Sequence, residues 1–277
     1  MTSTALIGDT NLRMEKPMTG PEELRIIDAA NALLNARRTG NAITDLPANL
    51  QPQSLDEAYA IHDRIAAAFG EIGGWKIGAA NPEATPMYAP MPRAWIAASG
   101  STLAGERWRY RGIEAEIAFL VGSDLPPRLL ETGAQPYTRE ETLAAMASCH
   151  PAIEVLEPAF ADPAHAARLA IVADLQMHGG FVYGPAVANW RSIDFAKEHV
   201  LLVVDGVVRV ERTGSNTAGD LLRLLPWLAN EGAARTGGLR KGQWITTGSW
   251  TGNTLASSGS VVEVNFSTAG RVDLRFA

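Results

Sequence analysis

The sequence predicts an α+β protein, with a small helical lobe ahead of a mainly β remainder, and two observations predict it. Near the N-terminal end apolar residues recur at helical spacing, whereas beyond Gly73-Gly74 short β-rich pieces alternate with Gly and Pro. With 277 residues, 46% of them hydrophobic, the chain can bury a sizeable core, which excludes disorder throughout.

Residues 1–19 mix Thr, Asp, Arg, Glu and Lys without the apolar stretch of a signal peptide, and read as a flexible N-terminus. From 21 to 38, Leu24, Ile27, Ala30, Asn31 and Leu34 follow helical spacing, Pro21 suits a first turn and Gly40 stands just past the end. Ser54-Leu-Asp-Glu57 reads as a capping box, after which Ala58, Ile61, Ile65 and Ala68 mark one face of a second helix that stops at Gly70. These two helices make a lobe over 20–95 that leads into a β domain over 96–277. Strands are predicted at 75–78, 113–121, 152–156, 181–183, 200–210, 244–247, 261–266 and 271–276. Asp205-Gly206 is a two-residue hairpin signal inside the fifth of these, and the last pair turns at 267–270. Helices interrupt at 138–148, opened by the capping box Thr138-Arg-Glu-Glu141, and at 219–231, where Pro226 introduces a kink.

Composition removes whole classes of function. A net charge of -6 leaves no global electrostatic footprint for nucleic acid or an anionic membrane surface. No apolar run approaches the roughly 20 residues of a membrane span. Cys149 is the single cysteine, so no intrachain disulfide and no cysteine metal cage can form, as suits a cytoplasmic protein.

The chemistry concentrates in carboxylates. In 111–120, Ile113, Ala115, Ile117 and Phe119 share one strand face, and Glu114, Glu116, Ala118 and Leu120 share the other. A face that begins acidic and ends apolar suggests a sheet covered on both sides. Two covered carboxylates about 7 Å apart at their backbones repel unless neutralised, and a hard cation would neutralise them. Glu154, embedded in the apolar run 151–158, adds a third. An all-oxygen set suits Mg²⁺ or Mn²⁺ better than zinc. The bland alternative is a solvated strand face whose glutamates pair with an arginine such as Arg111.

Four segments then carry a resemblance: Gly74-Trp-Lys-Ile-Gly78, Ile113-Glu-Ala-Glu-Ile-Ala118, Pro151-Ala-Ile-Glu-Val155 and Lys241-Gly-Gln-Trp-Ile-Thr-Thr-Gly248. In this order, from about Asp28 to the C-terminus, the chain resembles the 2-keto-4-pentenoate hydratases and 4-oxalocrotonate decarboxylases of the fumarylacetoacetate hydrolase superfamily. The resemblance implies a mixed β-roll, Mg²⁺ or Mn²⁺ held by Glu114, Glu116 and Glu154, and a catalytic lysine at Lys76. It implies a second catalytic group at Asp174, although Leu175 stands where related hydratases usually carry Asn. It also implies a small 2-oxo acid as substrate and a homodimer or higher homo-oligomer. The apolar pieces 261–266 and 271–276 would need a covering layer or a partner as well.

Each of these residues has a second reading on sequence alone. Lys76 between Trp75 and Ile77 is a pocketed ammonium or a snorkelling strand residue. Asp174 is an active-site acid or a loop Asp before Gly179-Gly180. Thr246-Thr247-Gly248 offers a hydroxyl and backbone amides to a carboxylate, or is a strand terminus. Thr247, Gly248 and Ala79 are expected to face substrate, as is the Pro- and Met-rich stretch 81–92. His150 and His178 read as structural histidines, Trp244 and Trp250 as core or pocket walls. Among reactions the resemblance puts hydration first and decarboxylation second; it disfavours carbon–carbon hydrolysis, because hydrolases of that superfamily usually place a His/Glu pair before the metal strand and no histidine lies between His62 and His150. The rival from another class is a binding module that kept the fold and lost the chemistry.

Overall fold

The computed structural model describes residues 20–128 and 133–277; the predicted flexible N-terminus lies outside the described residues. Helix α1 (Gly20–Thr39) buries Ile26, Ala29, Ala30, Leu33 and Leu34. Its core stripe is thus offset by a residue from the predicted one, and Leu24 is exposed. Helix α2 (Leu55–Ala67) packs on α1 and ends a turn earlier than predicted. Ser54 accepts from the Glu57 amide at 3.2 Å, but the Glu57 carboxylate returns to Gln53 and not to Ser54, so the box is only half closed.

Thirteen strands follow: β1 (Ile72–Gly78), β2 (Met87–Pro92), β3 (Ile96–Ala98), β4 (Ser101–Leu103), β5 (Gly112–Val121), β6 (Met146–Leu156), β7 (His178–Tyr183), β8 (His199–Val204), β9 (Val207–Thr213), β10 (Trp244–Thr246), β11 (Thr254–Leu255), β12 (Val261–Phe266) and β13 (Gly270–Phe276). The larger sheet runs β2-β1-β10-β5-β6-β7-β3, with β11 beside β5; the smaller runs β4-β13-β12-β8-β9. Helices and mixed sheets together give the α+β class that the sequence predicts.

Two predictions in the chain's middle are corrected. The helix opened by Thr138 does carry both halves of its capping box, but α3 (Arg139–Ala144) ends early and 146–148 belong to β6. The stretch 87–92, part of the Pro- and Met-rich segment expected to face substrate and absent from the predicted strands, is β2, and its prolines are tolerated because it is an edge strand. Near Pro226 a short helix, α5 in chain order after α4 (Arg168–Ala173), spans Leu224–Trp227 and widens into a π turn over Leu228–Gly232. Pro226 sits in its first turn, where a missing N–H costs little.

The larger sheet curls. Met91 of β2 and Phe181 of β7 meet in one small apolar cluster with Ala118, Ala152 and Trp244, although their strands lie far apart in the sheet order. Its outer face is covered by α2 against β2 and by the smaller sheet against β6. Residues such as Val262, Val264, Val272, Leu274 and Phe276 are buried within the chain, so the terminal strands find their cover without a partner. Strand β5 is buried on both faces, as its mixed pattern predicts.

Candidate metal centre

On the inner face of the curled sheet, β5 and β6 are antiparallel with Glu114 opposite Glu154 and Glu116 opposite Ala152. Side chains of directly paired residues point the same way, so all three carboxylates converge. One ligand oxygen from each of Glu114, Glu116 and Glu154 lies within 4.8 Å of the others. Arg111, the partner that the bland reading would supply, is turned elsewhere: its guanidinium donates to the Arg109 carbonyl at 3.3 Å.

Strand β1 adds the lysine. It lies parallel to β10 with Lys76 level with Thr246, and Thr246 is level with Ala118 of β5. Lys76 Nζ reaches Glu154 Oε1 at 2.7 Å and donates to the Gln176 carbonyl at 3.0 Å. It does not snorkel. Glu154 Oε1 also accepts from His178 Nδ1 at 2.9 Å, so His178 is neither ligand nor idle core residue but a support for a predicted ligand. The other oxygen of Glu154, Oε2, is buried without a hydrogen-bond partner among the described residues.

Burial pushes the Glu114 carboxyl up to about 7, with the charge of Glu154 adding to the effect. Glu116 is raised well above the ordinary carboxylate range by burial, then by Glu154 and Glu114. Burial would raise Glu154 too, but the Lys76 ammonium and His178 outweigh it and hold it at about 2. Burial disfavours the Lys76 charge, yet the field of Glu154 and Glu114 wins and keeps it protonated. His178 is lowered by burial and stays neutral, with its proton on Nδ1 toward Glu154. One ammonium faces three carboxylates. A divalent cation would balance the remainder, and the unpartnered Glu154 oxygen and the all-oxygen donor set fit it.

Asp174 is fully buried, but its carboxylate is occupied: Oδ1 takes Arg37 Nε at 2.5 Å and Oδ2 takes the Ala159 amide at 2.7 Å. It opens a turn in which Leu175, Gln176 and Met177 have φ of 52°, 49° and 66°. Three successive non-glycine residues in the left-handed region cost roughly 1–2 kcal/mol each. This turn carries both the Gln176 carbonyl that meets Lys76 and the ring of His178.

The residues expected to meet substrate stand at the carboxyl ends of β1 and β10. Gly248 donates its amide to Glu116 Oε2 at 2.9 Å, and Thr246 donates its hydroxyl to the same oxygen. The carboxylate received by this strand end is therefore one of the protein's own. Thr247 donates its hydroxyl to the Ile117 carbonyl at 2.7 Å. Ala79 accepts from the Thr217 hydroxyl at 2.7 Å, while Asn216 Nδ2 reaches the Thr247 and Gly248 carbonyls at 2.9 and 3.0 Å, tying the two strand ends together. Sequence reading missed Arg37, Asn216, Thr217, Gln176 and Ser249, which hydrogen-bonds Glu114. Of these only Arg37 leaves a trace: it falls three residues after Leu34 on the apolar stripe of α1.

No family model matches the chain. Its sequence is 25% identical over 260 residues to 2-keto-4-pentenoate hydratase of Paraburkholderia xenovorans (strain LB400), covering 90% of this chain and 94% of the relative. The 2-keto-4-pentenoate hydratase 3 of Pseudomonas putida matches with the same identity and coverage. Among solved structures, 4-oxalocrotonate decarboxylase from Pseudomonas putida G7, complexed with magnesium and adipate, superposes with a TM-score of 0.79 at 21% identity over 95% of this chain and 100% of that one. Fumarylpyruvate hydrolase from Pseudomonas aeruginosa, with Mn²⁺ and pyruvate, shares the fold more distantly, at a TM-score of 0.54 and 15% identity over 73% of this chain and 88% of that one. Taken with the curled sheet and its carboxylate cluster, these comparisons define a class by likeness: the chain is similar along most of its length to the 2-keto-4-pentenoate hydratases and shares its fold with 4-oxalocrotonate decarboxylase.

Proposed function

We propose that the protein is a metal-dependent lyase that hydrates a small 2-hydroxydienoic acid through its 2-oxo tautomer. The observation that carries this reading is the buried convergence of Glu114, Glu116 and Glu154 within 4.8 Å beside the Lys76 ammonium. The three glutamates would hold Mg²⁺ or Mn²⁺. When bound, such a cation would supply positive charge against the enolate that develops on a 2-oxo acid.

The chain's own groups supply the rest. Lys76 carries three N–H donors, of which Glu154 and Gln176 take two; the third is left for a substrate carboxylate or for proton delivery. Ketonisation of the dienol moves a proton to the far end of the diene. Addition of water then puts its oxygen on C4 and its proton on C3. Thr246 and the Gly248 amide orient Glu116, and His178 orients Glu154. Ala79, Thr247 and Gly248, at the joined ends of β1 and β10, form the wall at which substrate would enter. Asp174 acts in this reading through the turn that it anchors.

Decarboxylation of a 2-oxo acid is the second reading, favoured by the whole-chain superposition on 4-oxalocrotonate decarboxylase. The C2 oxygen of that acid would receive the electrons left by carbon dioxide, the charge again falling beside the three glutamates' site and the Lys76 ammonium. A homodimer or higher homo-oligomer and a cytoplasmic setting complete the proposal. Exposed Val207 and Val208 on the edge strand β9 support the former, and the single buried thiol of Cys149 suits the latter. Among the described residues no helix is long and apolar enough to cross a membrane.

The test is turnover of 2-hydroxypentadienoate by purified protein with Mg²⁺ or Mn²⁺, followed by loss of dienol absorbance and by carbon dioxide release. Dienol consumption that needs metal and releases no carbon dioxide supports hydration. Release of carbon dioxide from a 2-oxo-hexenedioate moves the reading to decarboxylation, and metal binding without turnover of either returns it to a binding module.

A further inference from the structure

We propose that Arg37 is a positioning residue of the metal centre, which grips both ends of the left-handed turn 175–177 and thereby fixes where Gln176 meets Lys76 and where His178 meets Glu154. The inference rests on the reading above only in treating Lys76 and Glu154 as working groups.

Arg37 comes from the last turn of α1, whose buried stripe of Ile26, Ala29, Ala30, Leu33 and Leu34 anchors it in the core. Its guanidinium makes three hydrogen bonds: Nε to Asp174 Oδ1 at 2.5 Å, Nη2 to the Asp174 carbonyl at 2.8 Å and Nη1 to the His178 carbonyl at 2.9 Å. The last two span the turn from its first residue to the residue that follows it. The turn's own bonds, Met177 amide to the Asp174 carbonyl and His178 amide to the Leu175 carbonyl, close it in two overlapping steps, and Arg37 adds the direct link between the Asp174 and His178 carbonyls.

A backbone in the left-handed region at three non-glycine residues persists only where its surroundings over-determine it. Helix C-terminal arginines ordinarily lie in solvent, where they complement the helix dipole. Here the side chain is 6% exposed and spends its donors on a segment 137 residues away. A planar fork can serve these three acceptors because its donors are spread across one plane; an ammonium at the same place gathers its three donors at one point on a shorter reach. Both contacts that the turn delivers, a carbonyl on Lys76 and an imidazole on Glu154, sit directly behind groups of the candidate centre.

The test is Mn²⁺ affinity of the purified full chain, measured by calorimetric titration on wild type, Arg37→Ala, Arg37→Lys, Asp174→Asn and the exposed neighbour Arg38→Met. Loss of an outer support of this kind weakens metal binding about 10- to 100-fold. That loss is expected for both Arg37 variants and for Asp174→Asn, with Arg38→Met unchanged. The double variant Arg37→Ala/Asp174→Asn should be no weaker than the worse single one, because both break one clamp. Free guanidinium at sub-denaturing concentration should restore part of the affinity of Arg37→Ala and none of that of Arg37→Lys, a response that a general packing defect would not show. A folded Arg37→Ala protein that binds Mn²⁺ within twofold of wild type overturns the proposal. So does failure of all three clamp variants to accumulate as soluble protein, which would make the clamp a folding device. Wild type that binds Mn²⁺ but turns over no dienol sinks the functional reading and leaves the clamp standing.

Discussion

Two sets of buried carboxylates are carried by β5, β6 and the segment between β6 and β7, and they differ in one respect. Glu157 receives the amides of Arg109, Tyr110 and Arg111 at 2.9–3.2 Å, and Asp174 receives Arg37 and the Ala159 amide. Glu114, Glu116 and Glu154 share one ammonium and leave Glu154 Oε2 without a partner among the described residues. Burial of an acid therefore does not mark a site. What marks it is a set of converging carboxylates whose charge the protein declines to satisfy, and the comparison can be broken in measurable ways.

The largest effect is expected at Lys76. Lys76→Met keeps the bulk of the side chain and removes its donors, so turnover should fall about 100- to 10,000-fold. Metal affinity should change far less, because the proposed ligands are the glutamates. Near wild-type turnover in a folded Lys76→Met protein would reduce Lys76 to a packing residue.

Next in size is the response of stability to metal. A ligand bound only by the folded state stabilises it by about 2.7 kcal/mol at 100 times its Kd. Thermal melting with and without Mn²⁺ should show such a gain for wild type and none for Glu116→Ala. Glu157→Gln supplies the contrast. It leaves buried amides poorly paired and should lower stability by about 1–3 kcal/mol while keeping the metal-dependent gain. Equal gains in all three proteins would remove the distinction between the two sets.

The pH dependence follows from Glu114. Its folded-state value of about 7 lies above the ordinary 4.5, so between these values the folded chain holds more protons than the unfolded one. Stability from this group is complete below pH 4.5 and is lost as pH rises through about 7. Metal-free protein should therefore melt progressively lower across that window, and the gain on adding Mn²⁺ should widen, since the cation binds the ionised form. A flat metal-free profile for wild type, matched by Glu114→Gln, would show that Glu114 titrates normally.

How much of this was legible in the sequence depends on the range of the interactions involved. The alternation at 113–120 suffices to place Glu114 and Glu116 on one covered face, because a strand's period of two is a local property. The capping box at Thr138 is local too. By contrast, the occupant of Glu116's second oxygen comes from 130 residues away and the clamp on Asp174 from 137 residues away. No periodicity encodes such pairings. The resemblance offered Asp174 as a catalytic acid, and nothing local could reveal that Arg37 takes its carboxylate. The strand at 87–92 was hidden for a different reason: its prolines are turn formers in general and become tolerable only at an edge, which is a property of the sheet.

The smallest expected effect separates two adjacent hydroxyls. Thr246 and Thr247 are both buried at the end of β10, and each gives its proton to β5, but the acceptors differ in kind. Thr246 donates to the Glu116 carboxylate, whereas Thr247 donates to the Ile117 carbonyl. A hydrogen bond to a buried carboxylate shapes and orients a ligand oxygen, so Thr246→Val should weaken Mn²⁺ binding by about tenfold, at the low end of outer-support effects. A hydrogen bond to a backbone carbonyl only holds one strand end against its neighbour. Thr247→Val should then cost about 1 kcal/mol of stability and leave metal affinity within twofold. Valine fills nearly the same volume as threonine, so neither change opens a cavity that would blur the comparison. Calorimetric titration and urea unfolding of the two proteins read the two quantities separately. If Thr247→Val lost metal affinity as strongly as Thr246→Val, the orienting role would belong to the strand end as a unit, and the distinction between satisfied and unsatisfied carboxylates would have to be drawn around the whole of 246–248 instead of at Glu116.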